Sequence, residues 1–318
     1  MGMTGGEGSI GRMLEVLLKA LGLICIIALG YLLKKIGFFK PKDYVLVSKI
    51  ALNITLPGAV ITSFAAFDFD ASLLWLIFIG LGGNLIMSMI GYLTARRRGQ
   101  DMQAFSMINF AGYNIGCFTL PFVQSFLGSY GVVATCMFDA GNSIMCTGGT
   151  YALAKTVSGE TEKRGPGGFL KTLFSSVPFD VYIIMLVLAF ANVKLPEFAV
   201  TVSSTVGAAN AFVAMLMIGM MFEPVLEKQY LKDAARTLAW RYGMAAAFAV
   251  LLYFCVPFPL EVRQVLVILV FGPIAAMAPV FTERCNGNVA LASMINSLSI
   301  IISTVVITML LMSMQVTG

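Results

Sequence analysis

The sequence contains no histidine and little charge: of its 318 residues, 12% are Asp, Glu, Lys or Arg. A soluble domain carries about a quarter charged residues, so this composition excludes an ordinary soluble protein. The absence of histidine excludes His-ligated metal centres, Ser-His-Asp triads and Cys-His dyads. There is also no GxSxG motif and no pair of intramembrane carboxylates. We therefore expect neither an enzyme nor a resident metal or cofactor.

Two further motifs are missing. The six cysteines have no CxxC spacing, which predicts free, buried thiols and excludes a zinc site or a disulfide framework. They are Cys25, Cys117, Cys136, Cys146, Cys255 and Cys285. No GxxxxGK[ST] phosphate-binding loop occurs, so ATP-driven transport would require another subunit.

What the chain does contain is apolar sequence: 58% of residues are hydrophobic and the mean hydropathy is +0.89. Ten apolar runs can be drawn, each long enough to cross a bilayer. They cover about 13–33, 43–66, 71–94, 102–127, 131–154, 174–191, 199–221, 237–255, 262–282 and 289–313. The sequence therefore predicts an all-α, multi-pass protein of the cell membrane, with the lipid bilayer as its surroundings.

The positive charges alternate from loop to loop. Every second loop is basic, and the loops between them are nearly bare. The basic residues are Lys34, Lys35, Lys40 and Lys42; Arg96, Arg97 and Arg98; Lys155, Lys163, Arg164 and Lys171; Lys228, Lys232, Arg236 and Arg241; and Arg284. Because basic loops face the cytoplasm, this pattern predicts both termini outside the cell. The net charge of +5 thus marks membrane orientation and does not indicate a nucleic-acid partner.

A polar, Gly-rich linker divides the chain into two halves of five runs each. We predict a first repeat over 1–156, a cytoplasmic linker over 157–172 and a second repeat over 173–318. An odd number of spans per half inverts the second half relative to the first. Transporters built from inverted repeats place their binding sites where the halves meet, near the middle of the membrane.

Runs 4 and 9 carry helix-weakening residues near their middles. Run 4 contains Gly112, Asn114 and Gly116, and run 9 contains Gly272 and Pro273. A broken helix survives in a membrane only where protein or a water-filled cavity satisfies its backbone groups. Each break alone could be a proline kink without a ligand. Two breaks at corresponding positions favour a binding site.

At this point the residues resemble the auxin efflux carrier family, which includes the plant PIN carriers. The resemblance lies in four stretches: Gly30–Gly37, Asn53–Pro57, Asn114–Pro121, and Gly272-Pro273 with Glu283 ten residues further on. The sequence departs from the family pattern at Cys117, Thr119 and Met277.

The resemblance implies ten transmembrane helices in a 5+5 inverted repeat, with crossed broken helices in spans 4 and 9. The fold would be PIN-, NhaA- and bile-acid-symporter-like. It also implies a scaffold of spans 1, 2, 6 and 7, a transport domain of spans 3–5 and 8–10, and a homodimer formed through the scaffold. The short central loop favours a prokaryotic member.

Asp139 is an acidic residue deep inside an apolar run. An ionised carboxylate there is costly unless it is paired or protonated. It could carry a proton, or bind Na⁺ together with Asn142 and Ser143, because oxygen ligands suit hard cations. The alternative is a protonated Asp that hydrogen-bonds between helices. We predict ion coupling, to H⁺ or Na⁺, at these three residues.

Half-helices at a break present free N–H groups and a positive dipole end, which favour an anion. We therefore predict a substrate site for a small organic anion at the breaks. Its candidate residues are Asn53, Tyr113, Asn114, Ile115, Gly116, Gly272, Pro273 and Ile274. A polar stripe in run 10, formed by Ser293, Asn296, Ser297 and Ser303, is expected to pack against another helix.

The preferred function is a secondary active transporter or uniporter that works by alternating access. Its substrates would be carboxylates such as malate or malonate, or auxin-like acids. One alternative is an ion channel, although the sequence has no selectivity-filter motif and no charged ring. Another is a Na⁺-coupled carrier of the bile-acid-symporter type.

Overall fold

The computed structural model describes residues 5–66, 70–157, 166–223 and 227–314, which are helical and contain no strand. The α-helices are α1 Gly5–Lys35, α2 Tyr44–Ile50, α3 Leu56–Ala65, α4 Trp75–Ala95, α5 Gln100–Phe110, α6 Leu120–Phe126, α7 Gly128–Ile144, α8 Thr150–Val157, α9 Pro166–Leu173, α10 Val177–Phe190, α11 Glu197–Ala208, α12 Asn210–Met221, α13 Leu231–Phe254, α14 Leu260–Val270, α15 Ala278–Arg284 and α16 Val289–Ser313. Short π-helical turns lie at Ala51–Thr55, Ile115–Thr119 and Met145–Gly149.

Six helical segments in the described ranges are long and apolar enough to cross a membrane. They are Leu14–Lys35, Tyr44–Ala65, Ala71–Ala95, Glu197–Met221, Lys228–Phe254 and Val289–Ser313. They correspond to predicted runs 1, 2, 3, 7, 8 and 10. Ile115–Phe126 and Val177–Phe190 are shorter apolar helices. The protein is therefore an all-helical, multi-pass membrane protein, while the count of ten crossings stays a prediction.

The C-terminal part of the predicted linker is helical. Residues 158–165 lie outside the described ranges, and 166–173 form helix α9. Leu173, at the end of this helix, is buried in the main hydrophobic core and thus anchors α9 to the protein.

In three pairs of helices, glycine faces glycine and the two backbones lie too close for any other side chain. A Cβ added to Gly30 of α1 would lie 2.2 Å from the carbonyl oxygen of Leu216 in α12. One added to Gly141 of α7 would lie 2.0 Å from the carbonyl oxygen of Ile77 in α4. The facing residues are also glycines, Gly219 in α12 and Gly80 in α4, and Gly58 of α3 faces Gly207 of α11 in the same way. Small residues that let helix backbones touch are a common packing device in membranes.

The cysteines are free, as predicted, but they are not all buried. Cys136 and Cys285 are buried, whereas Cys25 and Cys255 are exposed on the outer surface of the helices. The prediction of burial was wrong for the latter two because an apolar run has the same composition on its lipid-facing side as on its protein-facing side.

Candidate functional site

The two segments predicted to be interrupted meet at one point of the structure. Helix α5 ends at Phe110, and the next helical turn begins at Ile115. Helix α14 ends at Val270, and α15 begins at Ala278. Between them, Tyr113 and Ile274 form an isolated antiparallel bridge. The Asn114 N–H donates to the Pro273 carbonyl over 2.9 Å, so each non-helical segment satisfies part of the other's backbone.

Asparagine side chains hold the first non-helical segment in place. The Asn142 amide pairs with both backbone groups of Tyr113, accepting from its N–H at 3.0 Å and donating to its carbonyl at 2.9 Å. Asn84 of α4 accepts from the Gly112 N–H at 2.5 Å and donates to Asn142 at 3.1 Å. Gly112 has a positive φ of 80°, which glycine adopts without strain. Asn142 and Asn84 therefore supply hydrogen bonds to backbone groups of a segment that is not helical.

Polar groups of α16 hold the second non-helical segment. Asn296 donates to the carbonyls of Ile274 and Ala275 at 3.3 and 3.2 Å. Ser299 accepts from the Ile274 N–H at 3.0 Å, and Ser303 donates to the Phe271 carbonyl at 2.6 Å. Two members of the predicted polar stripe, Asn296 and Ser303, thus contact the break. Ser299, three residues after Asn296 and four before Ser303, lies on the same helix face but was not included in the predicted stripe.

Asp139 is 6% exposed and hydrogen-bonded on both oxygens. One oxygen accepts from the Asn142 amide at 2.8 Å, and the other accepts from the Tyr182 hydroxyl at 3.0 Å. Tyr182 belongs to α10, so this contact joins α7 to a helix that lies beyond the central linker. Asn142 therefore connects Asp139 to the Tyr113 backbone, because its amide hydrogen-bonds to both.

Arg241 is the functional candidate that the sequence reasoning missed. The charge pattern assigned it to a cytoplasmic loop, but it lies in α13 and is only 1% exposed. Its guanidinium donates to the carbonyls of Phe110, Gly112, Gly272 and Pro273. The assignment was wrong because an arginine near the end of an apolar run has the same sequence signature as a loop arginine.

A cavity of about 310 Å³ lies beside the meeting point. Its walls include most of the predicted site residues: Asn53, Tyr113, Asn114, Ile115, Gly116, Asp139, Asn142 and Ser143. Further walls come from Leu52, Leu56, Cys117, Cys146, Ser175–Pro178 and Ala275–Met277. The structure thus brings the candidate substrate residues of run 4 together with the candidate ion-coupling residues of run 5.

Three predicted residues, Gly272, Pro273 and Ile274, do not line this cavity. The carbonyls of Gly272 and Pro273 accept from Arg241, and Ile274 is fully buried against Ser299. The next residues along the chain, Ala275–Met277, form the cavity wall instead. In an irregular segment, neither the 3.6-residue period of a helix nor the 2-residue period of a strand predicts side-chain direction. The sequence therefore could not show whether 272–274 or 275–277 line the cavity.

The cavity lies at a site suited to negative charge. Asn114 immediately precedes the helical segment Ile115–Phe126, whose first turn has N–H groups without intrahelical partners. Asn114 is 8% exposed, and within the described part of the chain its side-chain amide makes no hydrogen bond, neither as a cap of this helix nor to another element. A helix N-terminus carries about half a positive charge. Backbone donors, a positive pole and an unpartnered amide therefore converge on the same space.

A second, larger cavity of about 410 Å³ lies at the ends of α3 and α10 and the start of α11. Its lining is mostly aliphatic, and its polar side chains are Asn192 and Lys194. It contains no buried polar network and no helix break. By size alone, this cavity would be the better candidate for the substrate site. The polar groups around the smaller cavity make the smaller one the better candidate.

Comparisons with known proteins agree with a membrane transporter. Residues 15–175 match the model of a family described as "Membrane transport protein". Over 144 residues, the chain is 27% identical to an uncharacterized transporter of Methanothermobacter thermautotrophicus. That alignment covers 44% of this chain and 48% of the relative, so the chain matches about half the length of this curated relative.

Proposed function

The chain belongs to the auxin-efflux-carrier-like family of membrane transport proteins, and on this premise we propose that it is a secondary transporter or uniporter for small organic anions. Carboxylates such as malate and malonate, or auxin-like acids, are its proposed substrates. We place it in the cell membrane as a homodimer, with ten crossings, two inverted halves and both termini outside.

The observation that carries this proposal is the placement of Asn114. Its unpartnered amide and the N-terminus of Ile115–Phe126 lie on the cavity beside the meeting point of the two helix breaks. A carboxylate there would accept from the amide and from the free N–H groups of the first helical turn. Hydrogen bonds to charged groups contribute about 1.5–3 kcal/mol, enough for a carrier that must also release its substrate.

The cavity wall supports an alternating-access mechanism. Leu52, Asn53 and Leu56 line it from the proposed scaffold, and Asn114–Cys117 line it from the proposed transport domain. A substrate between the two groups of helices would change its exposure when one group slides against the other. Ser175–Pro178 follow the central linker, so the cavity faces the cytoplasm in the proposed orientation.

Asp139 is the proposed coupling residue. The Tyr182 hydroxyl of the proposed scaffold donates to it across the boundary between the two groups, and Asn142 connects it to the Tyr113 backbone at the cavity. Binding or loss of H⁺, or of Na⁺ together with Asn142 and Ser143, would therefore act on both the domain boundary and the substrate site. Uptake into proteoliposomes under pH and then Na⁺ gradients, with malate, malonate and indole-3-acetate, tests the function. We expect saturable uptake and counterflow; single-channel currents would support a channel instead.

We predict that Asp139→Asn lowers gradient-driven accumulation at least about tenfold, while counterflow exchange without a gradient persists. The amide keeps the size of the side chain but cannot bind a proton or carry the charge that holds Na⁺. Asp101→Asn is the matched control, because Asp101 is exposed in the first turn of α5. Unchanged accumulation by Asp139→Asn would show that another group couples transport to the gradient.

We predict that Asn114→Leu raises the KM for malonate about tenfold or more, because one charge-assisted hydrogen bond is lost. Asn53→Leu is the comparison, since Asn53 lines the same cavity but is exposed, in the π-helical turn Ala51–Thr55 between α2 and α3. Its KM should change less than about threefold. Equal KM values for wild type and Asn114→Leu would remove Asn114 from the substrate site.

A further inference from the structure

Arg241 connects the C-terminal ends of two helices. It donates to Phe110, the last residue of α5, and to the Gly112 carbonyl at 2.8 Å. It also donates to the carbonyls of Gly272 and Pro273, which follow α14, at 3.2 and 3.3 Å. The Pro273 carbonyl also accepts from the Asn114 N–H. The carbonyls of Phe110, Gly112 and Gly272 lie at or just beyond helix ends, where intrahelical donors are missing, and Arg241 supplies the donor.

The contact has an electrostatic meaning. Each helix C-terminus carries about half a negative charge, so the ends of α5 and α14 together present about one. Arginine keeps its positive charge in proteins. Within the ranges described above, the ion pairs are Glu15–Lys19 and Arg98–Asp233, so Arg241 has no acidic side chain within ion-pair distance. Its charge therefore offsets the two helix ends.

Arg241 is also close to the cavity. Its guanidinium carbon lies 5.1 Å from the centre of the Tyr113 ring, and Tyr113 is part of the cavity wall. Asp139 is the acidic residue of that wall, and an ionised Asp139 would repel an anion. Without Arg241, two helix ends and one carboxylate would all oppose the positive pole at Ile115.

We propose that Arg241 is a positioning residue that determines which substrate charge the cavity prefers. Because it neutralises the helix ends behind the cavity, the cavity binds anions and prefers dianions to monoanions. This inference rests on the proposed function. It assigns the preference to a residue that need not touch the substrate and that acts through its charge.

The charge dependence distinguishes this role from a purely structural one. At about 10 Å and an effective dielectric constant near 20, removing one unit charge weakens binding of a monoanion about tenfold and of a dianion about a hundredfold. Damage to the fold would instead weaken both to the same degree. The ratio of the two KM values therefore reports charge alone.

The experiment measures KM in proteoliposomes for malonate, a dianion at slightly alkaline pH, and for its monomethyl ester, a monoanion. Wild type, Arg241→Met and Arg241→Lys are compared. Arg263→Met is the matched control, because Arg263 also donates to a carbonyl, that of Tyr253 at 2.9 Å, and lies 5.6 Å from the Tyr253 ring. It lies in the first turn of α14, at the opposite end of that helix from the break.

We expect wild type to bind malonate about tenfold more tightly than the ester, and Arg241→Met to lose this preference. Arg241→Lys and Arg263→Met should keep it. Equal KM values for the two compounds in wild type would overturn the inference without any variant, as would an unchanged ratio in Arg241→Met. If Arg241→Met does not fold, a lost preference in Arg241→Lys likewise overturns it. Uptake of neither compound by wild type would overturn the proposed function as well.

Discussion

Gly141→Val is expected to prevent the protein from folding in the membrane. A Cβ at this position would lie 2.0 Å from the Ile77 carbonyl oxygen and 2.8 Å from the Leu81 nitrogen, both in the backbone of α4. Backbone cannot move aside as a flexible side chain can, so α4 and α7 would have to separate. That separation would also break the hydrogen bond between Asn84 and Asn142. We expect the yield of monodisperse protein to fall about tenfold or more, measured by size-exclusion chromatography in detergent.

Gly83→Val is the matched control for this prediction. Gly83 lies in α4, the helix against which Gly141 packs, but a Cβ added at Gly83 meets no atom of the described residues within 4 Å. Valine has similar cost in helix propensity at both positions. A similar loss of yield in both variants would mean that propensity, and not the closeness of α4 to α7, decides the outcome.

Asn142→Leu is expected to abolish transport and to lower thermal stability. Leucine is close to asparagine in size but can neither donate nor accept, so the N–H and carbonyl of Tyr113 would lose their partner. Asp139 and Asn84 would each lose a hydrogen bond as well. Each buried group left unsatisfied costs about 1–3 kcal/mol, and we expect a total of at least about 3 kcal/mol. Thermal unfolding in detergent and uptake in proteoliposomes measure the two effects.

Thr135→Val is the control for Asn142→Leu on the same helix. Thr135 is fully buried, and its hydroxyl has no hydrogen-bond partner among the residues that the structure describes. An apolar replacement of the same shape should therefore be neutral or stabilising. If Asn142→Leu retained wild-type transport and stability, the Tyr113 backbone would not depend on its side-chain partner.

The sequence predicted the features that depend on local composition. The apolar runs and the weak points at Gly112 and Pro273 each follow from neighbouring residues. The unusual depth of Asp139 was also readable, because one charge in a long apolar run is conspicuous. The hydrogen bond between Asp139 and Tyr182 could not be predicted, since the two residues are 43 positions apart in sequence.

The features that were missed depend on long-range contacts. Arg241 reaches Gly112 across 129 positions, and Asn84 reaches it across 28. Neither residue has a local signature: Asn84 is one amide in an apolar helix, and Arg241 fits the charge pattern of a loop. A single sequence shows where such a residue lies along a helix, but it does not show which other element the side chain contacts.

The glycine contacts indicate which parts could move as rigid units. Backbone contact at Gly30–Gly219 and Gly58–Gly207 lies within the proposed scaffold, and contact at Gly80–Gly141 lies within the proposed transport domain. Interlocked backbones resist shear, because any displacement brings a Cα against a carbonyl of the facing helix. Across the boundary, the described helices are joined by side-chain hydrogen bonds: Tyr182 donates to Asp139, Gln124 donates to the Gly207 carbonyl, and Asn210 donates to Gln124. A displacement of a few ångströms could exchange these bonds for water while leaving the glycine contacts intact. Transport would thus remake side-chain contacts at the boundary and keep each group of helices rigid.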